Sequence, residues 1–217
     1  MTSVNTVIRA KTLAQLIKSS PKSVRILDAS FFLPKAGQNA YANYLKERIP
    51  GALFFDIDKC ARPSEYKRML PSVKDFETYV GELGIDNKTH VIVYNNHPDY
   101  AVYSAPRVWW TFRVFGHNSV SVLGNGLREW KDAGYRTDSG VPDSVNPTQF
   151  NASYREDLVK SFEEVASNIE SNQFQLVDAR STGRFDGTAI HADKGLIREQ
   201  SGTCSVSVRN SMRVRHG

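Results

Sequence analysis

Cysteine is scarce in this sequence: Cys60 and Cys204 are the only two. That excludes a disulfide scaffold and a cysteine-rich zinc site, and it fits a reducing compartment rather than secretion. Long hydrophobic runs are missing as well. No apolar stretch approaches the ~20 residues a membrane helix needs, so no membrane span is expected. A nucleic-acid motif is also lacking, although the net charge is +5. Residues 189–217 carry five bases (Lys194, Arg198, Arg209, Arg213, Arg215) against two acids (Asp193, Glu199), which accounts for three of those five charges. A basic tail is the reading, not a nucleic-acid surface. No ligand set for a metal and no cofactor motif is found.

Acids are absent up to Pro21, and the stretch is mildly basic, in the manner of a mitochondrial presequence. Against that, Ile8, Leu13, Leu16 and Ile17 have the spacing of a first amphipathic helix, read at residues 12–20. The expected location is mitochondrial or cytoplasmic.

What is present is a strand–loop–helix stretch from Val91 to His117, VIVYNNHPDYAVYSAPRVWWTFRVFGH. Val91-Ile92-Val93-Tyr94 is an unbroken apolar run, as in a parallel strand covered on both faces. Val102, Ala105, Val108, Trp109, Phe112 and Phe115 recur at helical spacing. The loop between them falls at a helix N-terminus, where backbone N–H groups converge and suit an anion or thiolate. Before it come Val24-Arg25-Ile26-Leu27-Asp28-Ala29, read as a strand; a short helix at 41–46; a turn at Ile49-Pro50-Gly51-Ala52; residues 53–58, apolar and then acidic, read as a strand end leading into a loop; and a helix at 72–83 closed by Gly84. After it come a strand Val120-Ser121-Val122-Leu123, a Gly124-Asn125-Gly126 turn and a helix at 127–133. The alternation predicts an α/β fold with a mostly parallel sheet.

Residues 138–149 are rich in Ser, Pro, Gly and Asp and read as a linker, and the pattern then restarts. A helix is expected at 158–169 and a strand at Phe174-Gln175-Leu176-Val177-Asp178-Ala179-Arg180. Ile26-Leu27-Asp28-Ala29 and Leu176-Val177-Asp178-Ala179 match, each after a helix, which marks a tandem repeat. The expected organisation is a complete domain at 1–137, the linker, the start of a second copy at 150–188, and a basic, disordered tail at 189–217.

Several ordered motifs carry a resemblance: Arg48-Ile49-Pro50-Gly51-Ala52, Phe54-Phe55-Asp56-Ile57-Asp58, Met69-Leu70-Pro71, Tyr103-Ser104-Ala105-Pro106-Arg107-Val108-Trp109-Trp110, Phe115-Gly116-His117, Gly126-Leu127-Arg128 with Trp130, and Val177-Asp178-Ala179-Arg180 followed by Gly183-Arg184-Phe185. With these the chain resembles the two-domain thiosulfate/3-mercaptopyruvate sulfurtransferases, the rhodanese family, over residues 4–188. The resemblance implies a rhodanese-like parallel sheet flanked by helices, followed by an incomplete second copy. It also implies sulfane sulfur transfer from thiosulfate or 3-mercaptopyruvate to cyanide or a thiol, on a cysteine persulfide cradled by backbone amides in the second copy. The ligands it implies are small sulfur-containing anions, and any protein partner is unidentified.

The residues adjust this picture. The first-copy loop is Asn95-Asn96-His97-Pro98-Asp99, without sulfur, so the first domain is non-catalytic, and His97 reads as an exposed loop histidine. Cys204 has Arg209 behind it, but no buried strand before it and no apolar helix after it; it is the only nucleophile candidate in the second half, and a tail cysteine is the plainer reading. Cys60 follows Asp56 and Asp58, which oppose a thiolate, and reads as structural. By resemblance, Arg184 faces the substrate anion with a bidentate fork. Arg180 pairs as readily with Asp178. Arg68 stands where the family often has a histidine, so no histidine role is carried over. Trp109, Trp110 and Phe112 read as core rather than as a stacking site. Gly124-Asn125-Gly126 lacks the Lys-Ser/Thr of a phosphate loop and reads as a turn. Two further readings stay open: a non-catalytic binding module of the same fold, and a phosphatase-like use, for which Cys204 and Arg209 are one residue too close.

Overall fold

The computed structural model describes residues 4–98, 100, 103–179 and 182–186. The chain divides into two units, Met1–Ser161 and Phe162–Gly217.

The first unit is built on a five-stranded parallel sheet: β1 (Val7–Ile8), β2 (Val24–Asp28), β3 (Leu53–Phe54), β4 (His90–Tyr94) and β5 (Val120–Leu123), in spatial order β1-β5-β4-β2-β3. Its helices are α1 (Ala10–Ser19), α2 (Ala40–Lys46), α3 (Val73–Glu82), α4 (Ala105–Val114) and α5 (Gly126–Asp132). The α/β architecture expected from the alternation is what forms. β4 lies between β2 and β5 and alternates strictly. Val91 and Val93 enter one core with Phe76 and Val80 of α3 and Val108 and Phe112 of α4. Ile92 and Tyr94 enter the other with Leu13 of α1 and Leu127 and Trp130 of α5. Successive strand side chains point to opposite faces, so an apolar run is what a strand covered twice requires.

Local chemistry fixes the boundaries. Ser72 caps α3, its Oγ accepting from the Asp75 N–H at 3.1 Å. Ile8 belongs to edge strand β1 and not to the first helix, which starts at Ala10. The strand end read in 53–58 is the two-residue β3, and the loop follows it. In that loop Asp56 Oδ1 accepts from the N–H groups of Asp58 and Lys59, at 2.9 and 3.2 Å, and turns the chain.

The segment read as a linker is an ordered strap. Arg48 and Asp138 exchange backbone hydrogen bonds, both 2.9 Å. The buried Arg48 guanidinium donates to Gly140 O at 2.6 Å. Thr148 N donates to Gly81 O at 2.9 Å, Ser153 N to Phe115 O at 3.1 Å and Arg155 N to Val114 O at 2.7 Å. Phe150 is buried against Phe76 and His117. Glycine permits this docking twice. A Cβ on Gly81 would lie 2.5 Å from Thr148 O; one on Gly116, at φ +83°, would lie 2.7 Å from Ser153 O. Trp110 is not core: it is half-buried, donating to Leu158 O at 3.3 Å with the Arg107 guanidinium 4.7 Å above its ring.

The described part of the second unit holds α6 (Phe162–Ser171) and α7 (Thr182–Phe185). The strand expected at 174–180 does not form among its described residues, 174–179. Val177 is 78% exposed. Instead, the Asn168 side chain of α6 holds both backbone groups of Phe174, at 2.7 and 2.9 Å.

Candidate functional site

In a parallel sheet, sites form beyond the carboxyl ends of the strands, where the chain order reverses. Here β2 leads outward to β3 on one side, and β4 leads to β5 on the other. The β2–β4 seam is therefore the switch point, and three polar residues close it. Asp28, the last residue of β2, is fully buried and accepts from both the Ser30 N–H, at 2.9 Å, and the Ser30 hydroxyl. Ser30 Oγ in turn accepts from Asn96 N of the β4 loop at 2.7 Å. Burial pushes the Asp28 carboxyl up to about 6, against the hydrogen bonds from Ser30 and the Tyr94 hydroxyl that hold it down.

Asn95 follows β4 directly, at the mouth of α4. It is only 3% exposed. Its Oδ1 accepts from Tyr103 N at 3.0 Å, its Nδ2 donates to Tyr100 O at 3.3 Å, and its carbonyl accepts from Leu127 N at 3.2 Å. Among the described residues of the loop expected to suit an anion before α4, the Asn95 amide takes the Tyr103 N–H and the Tyr100 carbonyl, and Pro106 in the first turn of α4 offers no N–H.

The rim is aromatic and cationic. His97 is not an isolated exposed histidine but half-buried, its ring 5.1 Å from Phe32, 4.8 Å from Tyr100 and 4.9 Å from Tyr103. Arg68 sits at φ 62°, its guanidinium 4.0 Å from the centre of the Phe31 ring and 2.9 Å from Asp58. Its carbonyl accepts from Arg107 Nη2 at 2.8 Å. The position therefore carries a fixed cation and no titrating imidazole. Cys60 is buried in the core below; burial pushes its thiol up to about 12, with Arg107 lowering it and Asp56 raising it. A protonated, enclosed thiol is no nucleophile, as expected of a structural cysteine.

Of the other residues singled out in the sequence, Cys204 and Arg180 lie outside the described residues. Arg184 lies in α7, but its side chain also lies outside the description. The Gly124–Gly126 turn is held by Glu129, whose Oε2 accepts from Asn125 N at 3.1 Å. The reading missed the rim formed by Phe31, Phe32, Tyr100 and Tyr103. Its one sequence signal is aromatic pairs just past both strand ends. Among the described residues, no group of three His, Cys, Asp or Glu side chains is placed to hold a metal ion, and no helix is long and apolar enough to cross a membrane.

A parallel sheet ordered 1-5-4-2-3, with its switch-point loop beyond β4, matches a family already met in the motifs. The rhodanese-like domain model matches residues 9–133, and the chain belongs to the rhodanese family of sulfurtransferases. It is similar to mouse 3-mercaptopyruvate sulfurtransferase (42% identity over 87% of this chain and 64% of the relative) and to bovine thiosulfate sulfurtransferase (44% over 88% and 66%). The chain thus spans just under two thirds of the length of these relatives. Among solved structures it resembles the 3-mercaptopyruvate sulfurtransferase SseA of Escherichia coli, with TM-score 0.75, 33% identity and coverage of 84% of this chain and 68% of that one. It also resembles the sulfur transferase subunit of yeast mitochondrial complex I, with TM-score 0.65, 37% identity and coverage of 76% and 58%.

Proposed function

We propose that residues 1–161 are the nucleophile-free half of a two-domain sulfurtransferase. In the proposed reaction a cysteine thiolate outside this half attacks the outer sulfur of thiosulfate or the sulfur of 3-mercaptopyruvate. The donor's bond to that sulfur breaks, sulfite or pyruvate leaves, and the persulfide passes its sulfur to cyanide or to a thiol. Arg184 binds the donor's anionic end through its guanidinium fork. The observation that carries the reading is Asn95: at the strand tip of this unit stands a buried amide, hydrogen-bonded on both sides, which cannot form a persulfide. The yeast mitochondrial relative supports a mitochondrial or cytoplasmic location.

The test is a thiosulfate:cyanide assay on the 217-residue chain, with mass spectrometry for a sulfur added to Cys204. Negligible turnover and no persulfide are expected. A robust rate that survives Cys204→Ser would overturn the assignment of residues 1–161 as nucleophile-free, and one abolished by it would overturn the expectation that the 217-residue chain turns over negligibly.

A second reading, a non-catalytic docking module, is favoured by the exposed rim: Tyr100 is 56% and Leu33 50% exposed. Gel filtration of the chain alone and with a full-length relative separates the two. A stable complex supports docking, and an inert monomer in both runs counts against it.

A further inference from the structure

A cleft of about 530 Å³ opens at the opposite, amino-terminal end of the sheet, away from the β4–α4 loop. Its floor is Arg25 of β2, and its sides include Lys22 before β2, Lys88 in the loop before β4, and Val145, Asn146 and Thr148 of the strap. Among the described residues none of these three cations takes part in an ion pair. The lining also holds one acid, Asp86, which accepts from Lys88 N at 2.9 Å and from the Thr89 hydroxyl at 2.7 Å; the Thr89 bond, with the nearby Lys88 charge, holds it ionised, so the cleft sets three cations against one carboxylate.

Helix ends account for part of this charge. α3 finishes here, and Arg25 Nη2 donates to Gly84 O at 3.2 Å, as bases near a helix C-terminus do. Arg25 Nε is bonded to no acceptor but is enclosed by protein, so it is the remainder of the Arg25 side chain that lines the cleft, together with two exposed ammonium groups. A guanidinium is the group best shaped to take a planar or tetrahedral oxyanion. The volume lies within the range of small-molecule sites and exceeds what one tetrahedral ion fills.

We propose that this cleft binds a small anion with two oxyanion groups, one held by Arg25 on the floor and the other by Lys22 and Lys88 at the rim. The strap forms one wall, so a bound anion also fastens residues 145–148 to the sheet. Binding is the only readout required, so the inference stands apart from the sulfur-transfer reading.

The test uses the full chain with inorganic pyrophosphate, by titration calorimetry at low ionic strength and by amide hydrogen exchange. The expected result is saturable one-to-one binding, slower exchange at Val145, Asn146 and Thr148, and affinity about tenfold weaker in the exposed-surface double variant Lys22→Gln/Lys88→Gln. Arg25→Gln, checked for folding by circular dichroism, is expected to bind more weakly still. Absence of saturable binding, or binding that the double variant leaves unchanged (an adventitious ion only), overturns the proposal.

Discussion

Asp28 is a buried carboxyl with no basic side chain in ion-pair range among the described residues, and its hydrogen bonds do not fully offset its desolvation. An unfolded Asp titrates near ~3.9, and the folded one at about 6. Between these values the native state binds more protons than the unfolded chain. Stability is therefore highest below the lower value and falls as pH rises through the upper one. Two pH units correspond to about 3 kcal/mol. Asp28→Asn keeps an oxygen for Ser30 and removes the ionisation. Urea unfolding of wild type between about pH 4.5 and about pH 7.5 is expected to show this decline, and the variant to lack most of it. Parallel pH profiles in the two proteins would discount the effect. Asn95 is the neighbouring case: Asn95→Ala removes the acceptor of the part-buried Tyr103 N–H and is expected to cost about 0.5–1.5 kcal/mol in the same measurement, without altering the sheet.

The elements differ in how plainly their residues announce them. β4 could be read because burial on both faces writes itself as Val-Ile-Val-Tyr, and α3 because Ser72, Asp75 and Gly84 mark its ends. β1 could not: a two-residue edge strand is defined by its pairing with Val122 and Leu123, 115 positions later. The strap was hidden for a related reason. It is held mainly by backbone groups, and Ser, Pro, Gly and Asp look the same whether their N–H groups bond to water or to Gly81, Val114 and Phe115. The seam residue Asp28 was visible as an acid at a strand end, whereas its partners Ser30 and Asn96 required the fold to bring them together. Gly81→Ala tests the strap. Helix propensity alone favours alanine by ~1 kcal/mol. The new methyl, however, meets a backbone carbonyl at 2.5 Å, and overpacking of that kind costs about 1–3 kcal/mol. A net loss of stability and faster amide exchange at Thr148 are expected. A stabilised variant would mean that the strap yields freely.

For the molecule as a whole, the first unit does not end where its last helix does. The sequence suggests a domain ending at residue 137, but Phe150 is part of one core and the backbone of Asp138, Gly140, Thr148, Ser153 and Arg155 is bonded to the unit. A chain stopped after Ser161 is expected to unfold in a single cooperative transition. A chain stopped after Thr137 loses the Phe150 ring and the acceptors of Arg48, and is expected to be less stable by at least ~3 kcal/mol, the usual cost of deleting a buried phenylalanine. Equal denaturation midpoints for the two would show the strap to be decoration.

The strap also sets a timetable for biosynthesis. Chains emerge from the ribosome amino-terminus first, at roughly 5–20 residues per second, and domains fold as units. The sheet strands are all synthesised by Leu123, and Phe112 and Phe115 are then already available to Phe76, yet the contacts of Phe150 with Phe76 and His117 wait until Phe150 has cleared the exit tunnel. During that interval the nascent protein carries a complete sheet with one greasy flank open, the window in which a chaperone would find it.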